Sequence, residues 1–576
     1  MKLNPIYTEI TECQDCYKCI RHCPVKSIKV EDGHAKILVD DCILCGNCYL
    51  MCPVGAKRIR NDLPRAQRAL EDHEKVILSL APSFAGEFPG ISEKTLIRAI
   101  KDLGFWAVSE TAIGAQEVSR HTNAVLQKAD HGVFISSACP TMVEYIHKHK
   151  PQYSSSIIDH LSPLLTHCQM LKELYGEDCI IVFAGPCISK KREADLREDL
   201  LHTAITFNDL KSWFAQNQID LSSLSGSDEE SFVPQFSYDG ASYPLEGGMI
   251  RSLKLQKTIL KDNQMLSFTN VHSMGGVLNN LEVLGQKEPL FLELLACEGG
   301  CINGPGCAKH SGTAVKEKIL MDYATSRKEQ VPLYKSCTSI QYDRKINAVK
   351  VVSHDELEIR KALRNIGKYD SGDEKNCGAC GYSTCRDYAR AFLDGRAEKD
   401  MCVSYLRTLS EKKADALIRS MPSGVVIVDA EMKIIQCNRA FATLIGEETL
   451  AAFEAKPGLK GASLSKILPF TSLFQGVLSE EGVLTDQTFH LENKVFTGSV
   501  FTIEKDQAVG AIFQDVTLPW VQKDQVIKQA RKVMENSIST VQQIAFLLGE
   551  NAAQSEVMLN SIITSFSSES NRDSDD

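Results

Sequence analysis

Sixteen of the 21 cysteines in this 576-residue chain fall into a pattern that leaves few folds open. Eight stand in two matching runs near the N-terminus. Four make a looser run between positions 377 and 402, and four stand alone in the middle. Thiols set a few residues apart in short loops must converge on something they share. The first residues, MKLNPIYTEI, are polar and lack the apolar region of a secretory signal. A reducing compartment is therefore expected, and cysteines there bind metal more readily than they pair as disulfides. The net charge of −10 argues against a nucleic-acid or anionic-membrane partner. No apolar run is long enough to span a bilayer. The expectation is a cytoplasmic protein of an anaerobic cell.

Cys13, Cys16, Cys19 and Cys23-Pro24 make C-x2-C-x2-C-x3-C-P, and Cys42, Cys45, Cys48 and Cys52-Pro53 repeat it. This is the bacterial two-cluster ferredoxin run, in which the fourth cysteine of each run serves the other cluster. Cys13, Cys16, Cys19 and Cys52 are thus expected on one 4Fe-4S cluster, and Cys42, Cys45, Cys48 and Cys23 on a second. Zinc also takes four thiolates, but typically from separated C-x2-C pairs. Cys377, Cys380, Cys385 and Cys402 make C-x2-C-x4-C-x16-C, with Gly372, Gly378 and Gly381 letting the loop wrap closely. Zinc remains an alternative on spacing alone. The run resembles a small 4Fe-4S domain of other multi-cluster redox proteins, which implies a third cluster.

The texture between and beyond these runs suggests six segments. Residues 1–62 are short, irregular and cysteine-dense, and a charged connector follows. Residues 76–350 alternate buried strands (Lys75–Leu80, Val133–Ser136, Cys179–Ala184) with helices such as Glu93–Leu103, which is α/β order. A Ser/Gly/acidic loop covers Ser222 to Glu230. Residues 355–410 are the third cysteine module, 411–518 a strand–helix–strand domain, 519–566 helical, and 567–576 a polar tail expected to be disordered. The fold class expected is a multidomain mixture of α/β and α+β parts.

The four lone cysteines are Cys139, Cys187, Cys297 and Cys301. Each ends an apolar strand or sits in a Gly- or Pro-marked turn, where backbone approaches a ligand closely. Cys187 is followed by Lys190, Lys191, Arg192 and Glu193. A cationic neighbour favours a thiolate and can donate to an anionic ligand. Cys297 and Cys301 flank Glu-Gly-Gly and are spaced to meet one metal centre. Buried structural cysteines are the alternative, and Cys168, Cys179 and Cys437 are read that way.

Three segments carry a resemblance. Ser136-Ser137-Ala138-Cys139-Pro140 is similar to the TSCCP signature of the iron-iron hydrogenase family. Pro186-Cys187 through Glu193 resembles PCxxKxxE, and Glu293 through Cys301 resembles ExMxCxGGC. Ala81-Pro82-Ser83 and Gly275-Gly276-Val277 are similar to the APA and GGVM segments. The similarity spans roughly residues 1–350. It implies an H-cluster, a 4Fe-4S cube joined to a diiron site carrying CO, CN and an azadithiolate. By position, Cys139, Cys187, Cys297 and Cys301 would hold the cube, with Cys301 as the bridge. Lys190 would hydrogen-bond a cyanide and Glu193 would support Lys190. The activity implied is reversible oxidation of H2 to protons and electrons, with a redox partner such as ferredoxin.

Departures from the pattern matter as much. A relay cysteine expected beside the first ligand is replaced by Ala138, which carries no proton. The Glu pair of the GADLxxxEE segment falls on His121 and Thr122. His121 could titrate near neutrality or be a solvated helix histidine. Gly185 and Leu295 stand where methionines are usual, and Pro305-Gly306-Cys307 replaces a GGGQ run. Loss of an acid–base relay costs on the order of a hundredfold or more in rate. Low turnover is expected.

The C-terminal part offers a reason for low turnover. Strands over Val425–Asp429 and Lys433–Gln436, the turn Asn438-Arg439-Ala440-Phe441, and the closing run Val509–Thr517 resemble a PAS domain, a sensory and dimerising module. No PAS ligand is identified. Ile527, Ala530, Met534, Ser537, Val541, Ile544 and Leu548 follow a heptad rhythm. This helix either forms a coiled coil in a homodimer or packs back on the PAS sheet. No output domain follows, so a separate signalling partner of kinase or phosphatase type is expected. The reading is a sensory hydrogenase; a ferredoxin-coupled catalytic hydrogenase and a non-catalytic electron-transfer protein are the alternatives.

Overall fold

In the computed structural model, residues 3–308, 312–326, 339–350, 352–480, 482–491, 494–516, 529–542, 544 and 558 are described. The polar tail and most of the final helical segment lie outside them. The chain divides into two compact units, Met1–Glu398 and Lys399–Asp576. That boundary falls within the stretch read as the third cysteine module. Among the described residues no helix is long and apolar enough to cross a membrane.

The first unit is built on two parallel sheets. One has the strand order Ala107–Glu110, Val76–Leu80, Ile180–Gly185, Thr203–Thr206. The other has the order Met265–Thr269, Pro289–Leu295, Gly132–Ile135, also parallel. Val76–Leu80 and Pro289–Leu295 are buried at every position. Continuous apolar runs are what central parallel strands need, because helices cover both faces. Helices such as Glu93–Asp102, whose N-cap Ser92 accepts from the Thr95 amide, supply that cover. Residues 1–62 add two short antiparallel ladders, Ile6–Thr8 with Lys57–Ile59 and Ile28–Glu31 with His34–Ile37.

One polar group is sealed inside the first sheet's cover. The His167 ring lies between Ser79 Oγ at 2.9 Å and Ser109 Oγ at 2.8 Å. Burial alone pushes its pKa down to about 3. The folded state holds this ring neutral, whereas the unfolded chain binds a proton below about pH 6.5.

The second unit carries a five-stranded antiparallel sheet in the order Ile434–Cys437, Gly424–Asp429, Ala508–Asp515, Lys494–Glu504, Val483–Leu491. Phe441, Phe489, Phe496 and Phe513 lie in its core, and the partly buried Phe470 packs against them, stacked on Phe489 at 4.4 Å. Asn438 locks the entry. Its Oδ1 accepts from the Val425 and Phe441 amides, both at 2.9 Å, and its Nδ2 donates to Ser423 O at 2.8 Å and Ile418 O at 3.0 Å. Met534, Ser537, Val541 and Ile544, all on the heptad stripe, are buried within the chain. Val541 packs with Ile418, Val425 and Ile512. The stripe therefore lies back on the sheet. Ile527 and Leu548 lie outside the described residues.

Two outcomes are expected. Asn438→Ala strands two amides and two carbonyls in a dry site, so it should destabilise the second unit by about 3 kcal/mol or more. Hydrogen exchange of strand Gly424–Asp429 in the full chain reads this directly, and unchanged protection would refute it. Stability should fall as pH drops from about 6.5 toward 3, and His167→Phe should flatten that slope in urea titrations across this window.

Candidate metal centre

The carboxyl ends of parallel strands in both sheets point at one place, the usual location of a binding crevice in α/β structures. Cys139 follows strand Gly132–Ile135 and precedes helix Pro140–His149. Cys187 follows Ile180–Gly185, and Cys297 follows Pro289–Leu295. Cys301 opens a short turn and is pinned by its amide to Pro244 O at 2.7 Å. The structure thus brings together four cysteines that lie up to 162 positions apart in the sequence.

Burial pushes all four thiols up, Cys187 to about 11, and neighbouring sulfurs add to the rise at Cys187, Cys297 and Cys301. Lys190 opposes the rise at Cys139, Cys187 and Cys301. Sulfurs so placed are unfavourable as free thiolates and well suited to share a cation or cluster, which deprotonates a ligating thiol outright.

A cavity of about 100 Å³ opens beside them, lined by Ala138, Cys187, Lys190, Tyr243, Glu293 and Cys301 together with Ser83, Thr111 and apolar residues. Lys190 Nζ donates to Glu193 Oε2 at 2.6 Å and to Ser162 Oγ at 3.0 Å, and Ser162 Oγ donates to Glu193 Oε2 at 3.1 Å. An ammonium has three N–H donors. Two are committed here, leaving one for a group in the cavity. One lysine ammonium in a chamber with mostly apolar walls fits a small anionic ligand. Glu293 is buried and accepts from the Met249 amide at 3.0 Å, and burial pushes its carboxyl up to about 7.

Other sequence-predicted residues are also located. Of the basic run after Cys187, only Lys190 lines the cavity. Lys191 turns the other way, to Asp62 Oδ2 at 3.1 Å and Asp209 Oδ2 at 3.4 Å. It ties the N-terminal segment to the sheet domain, and no local pattern announced that. His121 is half-buried, 3.1 Å from Glu117 Oε1 and edge-on to His160 at 5.8 Å, so it is not a solvated histidine. Burial would raise the Glu117 carboxyl, but hydrogen bonds from His121 and Arg120 hold it below the usual range. Thr122 is buried. Cys168, Cys179 and Cys437 are buried packing residues.

The two N-terminal runs interleave. Cys16, Cys13 and Cys52 are the sulfurs that act on Cys19, where burial pushes the thiol up to about 12. Cys45, Cys42 and Cys23 are those that act on Cys48. The second set abuts the lone cysteines, since Cys45 acts on Cys297. The contact is tight: a Cβ on Gly46 would lie 2.7 Å from the Pro305 ring and 2.9 Å from Ile188 Cδ1. Lys148 Nζ donates to Cys42 O at 2.8 Å, fastening the same loop. In the third module, Cys377 is exposed and Cys380 and Cys385 are half-buried. Cys402, in the second unit, is buried and caps helix Val403–Ser420.

Residues 74–305 match the family described as iron only hydrogenase large subunit, C-terminal domain. Residues 5–53 match a 4Fe-4S dicluster domain, 373–404 a putative Fe-S cluster domain and 413–478 a PAS domain. Iron hydrogenase 1 of Clostridium pasteurianum is 24% identical over 56% of this chain, and the match spans 63% of that relative's length. Nuclear prelamin A recognition factor of Xenopus laevis is 24% identical over 50% of this chain and 78% of its own length. The solved FeFe-hydrogenase HydA1 from Chlamydomonas reinhardtii is 18% identical, covering 44% of this chain and 88% of its own, with a TM-score of 0.34.

The Gly46 contact yields a test. Gly46 has a φ of +80° and no room for a Cβ. Gly46→Ala should cost about 1–3 kcal/mol through backbone strain and overpacking. Denaturant unfolding of the first-unit transition measures it, and an unmoved midpoint would count against the close docking.

Proposed function

We propose that this chain, with an iron-only-hydrogenase-like domain joined to iron–sulfur domains and a PAS domain, is a sensory hydrogenase of low turnover. In this reading Cys139, Cys187, Cys297 and Cys301 would hold the cube of an H-cluster, and the adjoining cavity would take its diiron site. When bound, that group supplies the reversible cleavage of H2 into two protons and two electrons. The chain's own residues bind, orient and insulate. Lys190 offers its remaining N–H to an anionic ligand in the cavity, and Glu193 and Ser162 fix its ammonium. Apolar lining such as Leu295 excludes water. Cys13, Cys16, Cys19 and Cys52, and Cys42, Cys45, Cys48 and Cys23, would hold two N-terminal 4Fe-4S clusters able to accept electrons. The segment matched by a putative Fe-S cluster domain, whose sequence carries Cys377, Cys380, Cys385 and Cys402, would supply a third cluster. The PAS domain passes redox state to a separate partner of kinase or phosphatase type, and a ferredoxin-type carrier exchanges electrons.

The observation that carries this reading is Ala138. It lines the cavity beside Cys187, Lys190 and Cys301. A methyl group there holds no proton, so the chamber keeps its ligand-binding residues and lacks the adjacent relay. Ala138→Cys should raise H2 oxidation and evolution on the order of tenfold to a hundredfold in protein loaded with the diiron site. Wild-type turnover already matching a prototypical hydrogenase would overturn the sensory reading.

A second reading is favoured by the nuclear prelamin A recognition factor match, since that relative is not named a hydrogenase. It makes the chain an iron–sulfur protein without H2 turnover. Infrared bands of bound CO and CN after maturation would exclude it.

A further inference from the structure

Lys26 closes the first cysteine run, three residues after Cys23, and its backbone is left-handed with a φ of +50°. Its ammonium donates to Ile20 O at 2.9 Å, Arg21 O at 3.1 Å and Gly381 O at 2.8 Å. All three N–H donors are committed. Two hold the helix that carries Cys19, and the third reaches 355 positions along the chain. Arg21 repeats the reach, with Nη1 donating to Ala379 O at 3.1 Å. Ala379 and Gly381 are the two neighbours of Cys380. The loop bearing Cys380 is therefore gripped on both sides by cations of the first run.

The fit is close and extends along the segment. Gly381 has a φ of +94°, and a Cβ there would lie 2.7 Å from Ile20 Cγ2. The Val30 amide donates to Arg396 O at 2.9 Å, the Gly33 amide to Glu398 Oε2 at 3.2 Å, and Arg396 pairs with Asp41 at 2.9 Å. The same two cations face the N-terminal sulfurs. Cys23 and Cys380 both act on Lys26, and Cys16, Cys19 and Cys380 all act on Arg21, with burial as the larger influence on each.

We infer that Lys26, together with Arg21, is a positioning residue that docks the Cys380 loop against both N-terminal cysteine sets. The third iron–sulfur site thereby becomes the immediate electron partner of the two-cluster domain. This deepens the proposed function by giving the third site its place, and it rests on the iron–sulfur reading of the three runs, not on H2 chemistry. The exchange is a single electron, lost by one centre as the other gains it, with no bond made or broken and no proton moved. A cation between two such sites favours the reduced state of each, because cluster potential follows local charge and hydrogen bonding.

The test uses full-length protein with its iron–sulfur sites reconstituted, no diiron site, dithionite as reductant and no H2. Electron paramagnetic resonance of the wild type should show signals broadened by magnetic interaction, and Cys380→Ala should narrow the remaining signals. Lys26→Met should keep its iron, lose that broadening and titrate at lower potential, while Lys26→Arg should restore the potential. A wild-type spectrum equal to that of Cys380→Ala plus one isolated centre would overturn the inference. So would a third module that takes up no iron, or a Lys26→Met protein with unchanged line shape and potential. If Lys26→Met does not load, the comparison of wild type with Cys380→Ala decides alone. Failure of the sensory reading would leave all these signals intact, so the two can fail separately.

Discussion

Crowded sulfur inside protein is the constraint on which the first unit turns. A buried thiol resists ionisation, and neighbouring sulfurs add to that resistance. The chain answers with buried cations. Lys57 is 2% exposed, donates to Ala35 O at 2.7 Å, and acts against the rise at Cys19 and Cys48. Lys148 and the half-buried Arg192 act similarly at Cys42, Lys190 at Cys139, Cys187 and Cys301, and Lys316 at Cys307. Lysine is seldom buried without a partner. The chain thus buries a few of its cations where sulfur needs them.

Topology does the rest. Parallel strands deliver their carboxyl ends to one side, so residues distant in sequence meet without any long loop having to fold precisely. Cys139, Cys187 and Cys297 each use the first turn after a strand. The two sheets contribute separately, with Cys187 from one and Cys139 and Cys297 from the other. Arg60 with Asp195 at 2.8 Å and Lys191 with Asp62 then hold the N-terminal segment in place beside that crevice.

What the sequence disclosed follows the range of each interaction. Strand and helix positions, the doubled cysteine spacing and the Asn438 turn are local patterns, and the structure has corresponding elements within a residue or two. The partners of Lys191, Lys26 and His121 were not legible, because each pairs with a group far along the chain or one turn away on a helix face. Lys191 looked like one more cation beside Cys187; only the folded chain shows it turned to Asp62. The heptad stripe ending the second unit was ambiguous for a related reason. A seam of Met534, Val541 and Ile544 packs equally well on a second helix or on a sheet, and Val541 against Val425 and Ile512 shows the sheet.

Ala138 gains its meaning from what surrounds it. Removing a proton relay raises a barrier in both directions and leaves the equilibrium between H2, protons and electrons unchanged. An enzyme selected for flux loses by that change. A sensor loses nothing provided its cavity still binds and its electrons still equilibrate, because it reports occupancy rather than rate. Slow exchange also limits the electrons drawn from the pool being measured. In the proposed reading, the Lys190–Glu193–Ser162 triangle beside the Ala138 methyl group would keep binding while lowering throughput.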